Sequence, residues 1–230
     1  MAYIGNGFLE AFFLLIHYDP ETYSAIFATL LVSGYAMLAT LLMGIPLGFF
    51  LGYFNFRGKN QIRMLVDTAL SLPTVFIGLM VYAFLSNKGP LGHLELLFTL
   101  EGIAIGLTIL ALPIIISLTA VSAESTDDTL RITLISLGAN RTQVLLGTLW
   151  EIRHGIIAAA LTAFGRVMTE VGISMMVGGN IKWQTRTITT AIALETGKGM
   201  FATGIALGLV LLSIAFLVNM VVSSLKNKTA

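Results

Sequence analysis

The chain has 230 residues, of which 56% are hydrophobic and only 11% charged, against roughly 25% charged in ordinary soluble domains; its mean hydropathy of +0.89 therefore places much of it in lipid. Thirteen basic and 12 acidic residues leave a net charge of +1, which excludes the basic excess of a nucleic-acid binder. The absence of cysteine excludes disulfides, thiolate metal ligands and a cysteine nucleophile.

No Lys or Arg precedes Arg57, so no positively charged leader of the signal-peptide kind is expected. The short apolar run from Phe8 to Ile16, interrupted by Asp19-Pro20-Glu21, is too short to cross and reads as an interfacial helix. A spanning helix needs ~20 mostly apolar residues. Five segments meet that measure: Tyr23 to Tyr53, Met64 to Leu85, Gly102 to Val121, Gly155 to Val177 and Phe201 to Leu225. The expected fold class is all-α, a polytopic transmembrane bundle of five spans with short interfacial and cytoplasmic helices. Pro46, Pro73 and Pro113 fall within the first three spans and should bend them. Gly34, Gly44 and Gly48 should allow close helix contact in the first.

Orientation follows from the basic residues. Eight of them, Arg57, Lys59, Arg63, Arg131, Arg141, Arg153, Lys226 and Lys228, fall on one side. Only Lys88, Lys182, Arg186 and Lys198 fall on the other, which puts the N-terminus outside and the C-terminus in the cytoplasm.

The cytoplasmic stretch 122–153 reads as helix, glycine, helix. Thr126 can cap a helix opening on Asp127 and Asp128, and Gly138 can end it in the left-handed conformation. Asn140 with Gln143 three residues on has the form of a capping box. Leu130, Leu134 and Leu137 form an apolar stripe on the first helix, and Leu145, Leu146, Leu149 and Trp150 form one on the second. Those faces, lacking an obvious intramolecular partner, mark a docking element or helices lying on lipid headgroups.

Inside the fourth segment stand Arg166 and Glu170. A charge at the centre of a span costs roughly 2.5–3.5 kcal/mol on insertion scales and faces a protein interior, water or a partner. A spacing of four places the two on one face of a continuous helix. Because Arg before Glu is the weaker order for such a pair, at least one should bond outside its own helix.

Catalytic signatures are absent: ETGKGM around Gly197 is not a nucleotide-binding loop, and His17, His93 and His154 form no metal-binding pair. The chain therefore reads as a non-enzyme, with no cofactor or metal of its own.

The run LTAFGRVMTEVGISMMVGGNI, followed by TRTITTAIALETGKG, resembles the permease subunits of binding-protein-dependent ABC importers of the molybdate, sulfate and tungstate group, tungstate permeases above all. The group's pattern F-[AG]-R-x-x-x-E-x-G is met by Phe164, Gly165, Arg166, Glu170 and Gly172. Gly178, Gly179 and Asn180, with Thr185, Arg186 and Thr187, look like its external turn. The general E-A-A cytoplasmic pattern keeps only Gly138, with Ile132, Thr133 and Leu134 standing where E-A-A belongs.

The resemblance implies a permease in a prokaryotic cell membrane, working with a second copy of itself, two ATPase subunits that hold ATP and Mg, and a soluble or lipid-anchored oxyanion-binding protein. It implies ATPase coupling through Thr133, Leu134, Leu137, Gly138, Ala139, Asn140 and Arg141. Gly178, Gly179, Asn180, Thr185 and Arg186 become candidate path or substrate contacts, through an anion-favouring backbone nest with Lys182 nearby. The expected division is an external segment 1–22, a transmembrane domain 23–225 and a cytoplasmic tail 226–230. Permeases for molybdate, sulfate or another oxyanion are the alternatives within this class. A stand-alone channel or secondary carrier, with Arg166 and Glu170 as gating or relay groups, is the alternative outside it.

Overall fold

The structure, a computed structural model, describes Leu9 and residues 13–126 and 128–228, with side chains at 128 and 221–228 left aside. The described residues are helical with connecting turns. The first helix, α1 (Pro20–Tyr53), opens on Asp19, whose Oδ2 accepts the Thr22 N–H at 2.8 Å, with proline at the first helical position where no donor is lost. There follow α2 (Lys59–Ala69), α3 (Thr74–Leu85), a 3-10 turn at Gly92–Leu94 and α4 (Leu100–Glu124). A short pair follows, α5 (Asp128–Ser136) and α6 (Arg141–Glu151), and the second half contains α7 (Arg153–Met168), α8 (Gly172–Gly178), α9 (Ile188–Gly197) and α10 (Phe201–Lys228).

Three of these, α1, α4 and α10, are long and apolar enough to cross a membrane, and counting each bent pair as one span raises the number to five: α2 with α3, bent by 98°, and α6 with α7, bent by 52°. Pro46 and Pro113 lie inside α1 and α4 as expected. Pro73 does not kink a span; it stands at the N-cap of α3, after an interruption at Leu70–Leu72, so Met64 to Leu85 is two helices and not one. The reason is local: proline's lack of an N–H and its clash with the preceding turn stop a helix that side-chain hydropathy alone would continue. The fourth segment is also interrupted, at Thr169–Val171, between α7 and α8.

The core is built on α1 against α4. At Gly48 an added Cβ would lie 2.6 Å from the Ile116 carbonyl oxygen, and at Gly52 2.4 Å from that of Ala120, so these positions let two backbones touch. Gly44 lies in the same seam, where a Cβ would come within 2.7 Å of Ile115. Gly34 has open space within 4 Å and takes no part. The α7–α8 line runs antiparallel to α4: Gly155 abuts Ser122 near one end, Gly106 meets Ile173, and Gly178 meets Ile103 near the other. A second cluster of Ala25, Ile188, Ala191, Leu207 and Val210 joins α1, α9 and α10. The ten-residue α9 lies where the sequence reading has only an external connection.

The expected interfacial segment is seen only in part. Leu9 and residues 13–16 are helical, and positions 8 and 10–12 lie outside the described residues.

Candidate functional site

Two polar clusters and one charged pair hold the membrane domain, and each begins with a helix that stops. Where α1 ends, the Lys59 ammonium donates to the Gly52 carbonyl at 3.1 Å and pairs with Glu124 at 3.1 Å, while Arg63 bonds the same carboxylate. Farther along α2, Asp67 accepts a hydrogen bond from Ser117 at 3.0 Å. The result lashes α2 to the end of α4. None of α2's residues is buried.

At the opposite end, Glu21 receives Lys182 at 2.6 Å and also Arg186. Arg186 Nε donates to Asn180 at 3.2 Å. Thr185 is buried, donates to the Gly178 carbonyl at 2.5 Å and accepts the Ile181 N–H at 3.1 Å. Gly179 ends α8 at φ +69°, and Gly178 packs on Ile103. The candidate path residues Gly178, Gly179, Asn180, Thr185 and Arg186 are thus brought together, and their polar groups are engaged with one another and with Glu21. This is the architecture of a fastened turn. Sequence reasoning missed Glu21 and Glu124, because each finds its cations on a distant segment.

At the break between α7 and α8, Arg166 Nη1 lies 3.4 Å from Glu170 Oε2; the arginine side chain is 44% exposed and the glutamate 3%. They do not share one helix. Arg166 lies in the last turn of α7, and Glu170 stands in the interruption, where its Oε1 accepts the Ile173 N–H of α8 at 3.3 Å. Its backbone carbonyl accepts Thr189 Oγ1 of α9 at 3.0 Å. Glu170 bonds outside the helix that carries Arg166 because that helix has ended before it, so the helix-pair order of the two residues does not apply.

Between α5 and α6, Gly138 has φ +82°, and the capping box is present, with Asn140 Oδ1 accepting the Gln143 N–H at 2.9 Å and Gln143 Oε1 accepting the Asn140 N–H at 2.8 Å. Asp127 lies outside the described residues; the Thr126 hydroxyl donates to the Ser122 carbonyl at 3.3 Å. Leu134 does have an intramolecular partner, since it packs at Gly147 of α6, and Leu130, Leu145 and Leu149 are half-buried. The apolar surface left open is Ile132, Ile135 and Leu137 on the first limb and Leu146 and Trp150 on the second. Among the candidate coupling residues Thr133, Leu137, Gly138, Asn140 and Arg141 are exposed, and Leu134 and Ala139 half-buried.

No group of three or more metal-ligating side chains occurs among the described residues, His17, His93 and His154 included. Residues 44–229 match the model of the binding-protein-dependent transport system inner membrane component family. The chain belongs to that family. A tungstate uptake system permease protein of Campylobacter jejuni is 47% identical over 225 residues, covering 98% of this chain and 94% of that one. The corresponding protein of Peptoclostridium acidaminophilum is 38% identical over 99% of this chain and all of its own length. A molybdenum transport system permease of Escherichia coli K12 is 28% identical over 76% of this chain. The fold of this permease is also that of a chain in the inward-facing MetNI methionine ABC transporter, at TM-score 0.73 and 16% identity over 92% of the present chain. It is an ABC importer permease, an inner-membrane protein of several spans.

Proposed function

We propose that this permease moves tungstate into the cytoplasm, with molybdate a weaker cargo. The observation that carries the substrate is the 47% identity to a tungstate permease across nearly the whole of both chains, together with the second tungstate relative at full length. The molybdenum permease matches at lower identity and coverage. In this reading the division is the external segment 1–22, the transmembrane domain 23–225 and the cytoplasmic tail 226–230.

Two copies enclose the path. The N-terminus lies outside, where a soluble or lipid-anchored binding protein delivers the oxyanion. Two ATPase subunits dock on the cytoplasmic face, and the ATP and Mg belong to them. The exposed apolar tip Ile132, Ile135, Leu137, Leu146 and Trp150 supports docking: rigidly turned at Gly138 and capped at Asn140, it presents area that a partner's groove can desolvate. ATPase closure then moves the loop 122–153, and with it α4 and α7, in alternating access.

The test is oxyanion accumulation in cells with and without the subunit. Loss of tungstate uptake that molybdate competes for weakly, and sulfate hardly at all, is the expected result. Equal loss of sulfate and tungstate would refute the assignment to tungstate. A C-terminal reporter and a crosslink from Ala139→Cys to the ATPase check orientation and docking.

A further inference from the structure

The exposed face of α7 is unlike the face of a helix that meets lipid. On α10 the exposed positions are mostly large and apolar, Phe201, Leu212, Phe216, Leu217 and Met220, with Ser213 and Asn219 among them. On α7 they are Ala158, Thr162 and Arg166, continued by Thr169 at the helix end, in steps of four, four and three that keep them on one side. The stripe is small and polar, and it runs through the middle of the span. Arg166 lies 13 residues beyond Arg153, about 20 Å along the axis at 1.5 Å per residue, in a hydrocarbon layer about 30 Å thick.

Both hydroxyls turn back on their own helix, Thr162 to the Ala158 carbonyl at 2.9 Å and Thr169 to that of Gly165 at 3.0 Å. The guanidinium is therefore the outward donor of this face. It meets Glu170 through one nitrogen, while its other donors find no acceptor among the described residues. The carboxylate is buried and the cation is open, so the pair presents a positive side. A half-exposed charge at this depth requires water or a protein partner, not lipid.

A second polar surface runs along α2 toward the interruption that faces α8. Residues Asn60, Arg63, Met64, Asp67 and Thr68 of this helix, with Ser71 just beyond its end, line an open groove of about 620 Å³. That groove ends where α2 stops, and the start of α3 touches the start of α8: a Cβ on Gly172 would lie 3.4 Å from Val75 and 3.5 Å from Thr74. Two interrupted helices thus meet at membrane depth, where irregular backbone is tolerated only inside protein or along a water-filled cavity.

We infer that Ala158, Thr162, Arg166 and Thr169 form the wall of a hydrated path, in which Arg166 is the group that meets a tetrahedral oxyanion dianion at mid-membrane. Glu170 is a positioning residue: it holds the guanidinium and tempers its charge so that the anion is not trapped. The fork of a guanidinium fits two oxygens of such an anion, and two copies of the chain supply two of them for two negative charges. This assignment rests on the permease reading, and it moves the substrate contact away from the fastened turn at Gly178 to Arg186.

The absence of native cysteine makes accessibility labelling a direct test. Thr162→Cys, Thr169→Cys and the lipid-facing control Phe216→Cys are prepared in the complete complex in proteoliposomes and treated with anionic and cationic membrane-impermeant thiosulfonates. The two threonine sites should react at least about tenfold faster than the control, should favour the anionic reagent, and should be protected when tungstate is delivered by the binding protein. The charge preference should vanish in the Arg166→Gln/Glu170→Gln double variant, which removes both charges; co-purification with the ATPase then reports that the complex still assembles. Arg166→Lys should transport with a raised half-saturation for tungstate. Unreactive threonine sites, or a Thr162→Cys disulfide between two copies that leaves transport intact, would assign the stripe to a dry contact and overturn the inference. So would wild-type uptake by the double variant. If the wild-type complex with all partners moves no tungstate, the substrate reading fails first; if it does and Thr162→Cys stays unlabelled, only the path assignment fails.

Discussion

Removing one member of the Arg166 and Glu170 pair should have unequal consequences, because the two side chains live in different surroundings. Arg166→Gln strands a carboxylate that is 3% exposed, retaining only the Ile173 N–H at 3.3 Å. Breaking a buried pair from one side costs about 3–5 kcal/mol, and one surviving hydrogen bond places this variant near the lower end, about 3 kcal/mol. Glu170→Gln strands a guanidinium that is 44% exposed and keeps an amide oxygen for Ile173, so its cost is about 1 kcal/mol, the difference between a charged and a neutral acceptor. The double variant should be less destabilised than the sum of the two. Exchanging the residues should rescue neither, since it buries a cation at position 170 and removes the acceptor at the start of α8. The assay is thermal unfolding of the purified complex in detergent, completed as a double-mutant cycle. An Arg166→Gln variant as stable as the wild type, or less perturbed than Glu170→Gln, would refute this reasoning, and full rescue by the exchange would show that the interruption between α7 and α8 plays no part.

Gly48→Ala should destabilise by about 1–3 kcal/mol, because its Cβ would sit 2.6 Å from a backbone oxygen of α4, whereas Gly34→Ala, facing open space, should be neutral or gain up to about 1 kcal/mol of helix propensity; detergent melting curves separate the two. At Gly138, φ +82° penalises a side chain by about 1–2 kcal/mol, so Gly138→Val should lower uptake and transport-linked ATP hydrolysis while membrane insertion persists, and Gly138→Asn should retain most activity. Glu21→Gln releases Lys182 and Arg186 together and should raise protease and hydrogen-exchange susceptibility of residues 180–187, an effect measured by mass spectrometry and absent in a Glu95→Gln control.

Much of the membrane domain was legible in the amino-acid sequence because its determinants are local. Runs of apolar residues set α1, α4 and α10; Asn140 with Gln143 and Gly138 set the turn between α5 and α6, since a capping box and a left-handed glycine depend on neighbours a few residues away. Gly44 and Gly48 announced close packing by their spacing, yet Gly34, with the same chemistry, faces nothing: a sequence shows that a backbone can be approached, and only the fold decides whether another helix comes. The second and fourth spans read as continuous because hydropathy is additive along a chain and does not register where backbone hydrogen bonding stops. The interruptions at Leu70–Leu72 and Thr169–Val171 are sustained by contacts made across the fold, among them Thr189 on the Glu170 carbonyl and Thr74 beside Gly172. The charged residues divide in the same way. Arg166 and Glu170 were visible as a pair because they are four apart, but which of them is hidden and which open depends on the helices packed around Glu170. Glu21 and Glu124 pair with cations 61 to 165 residues away, and electrostatic partners at that separation are chosen by three-dimensional distance alone.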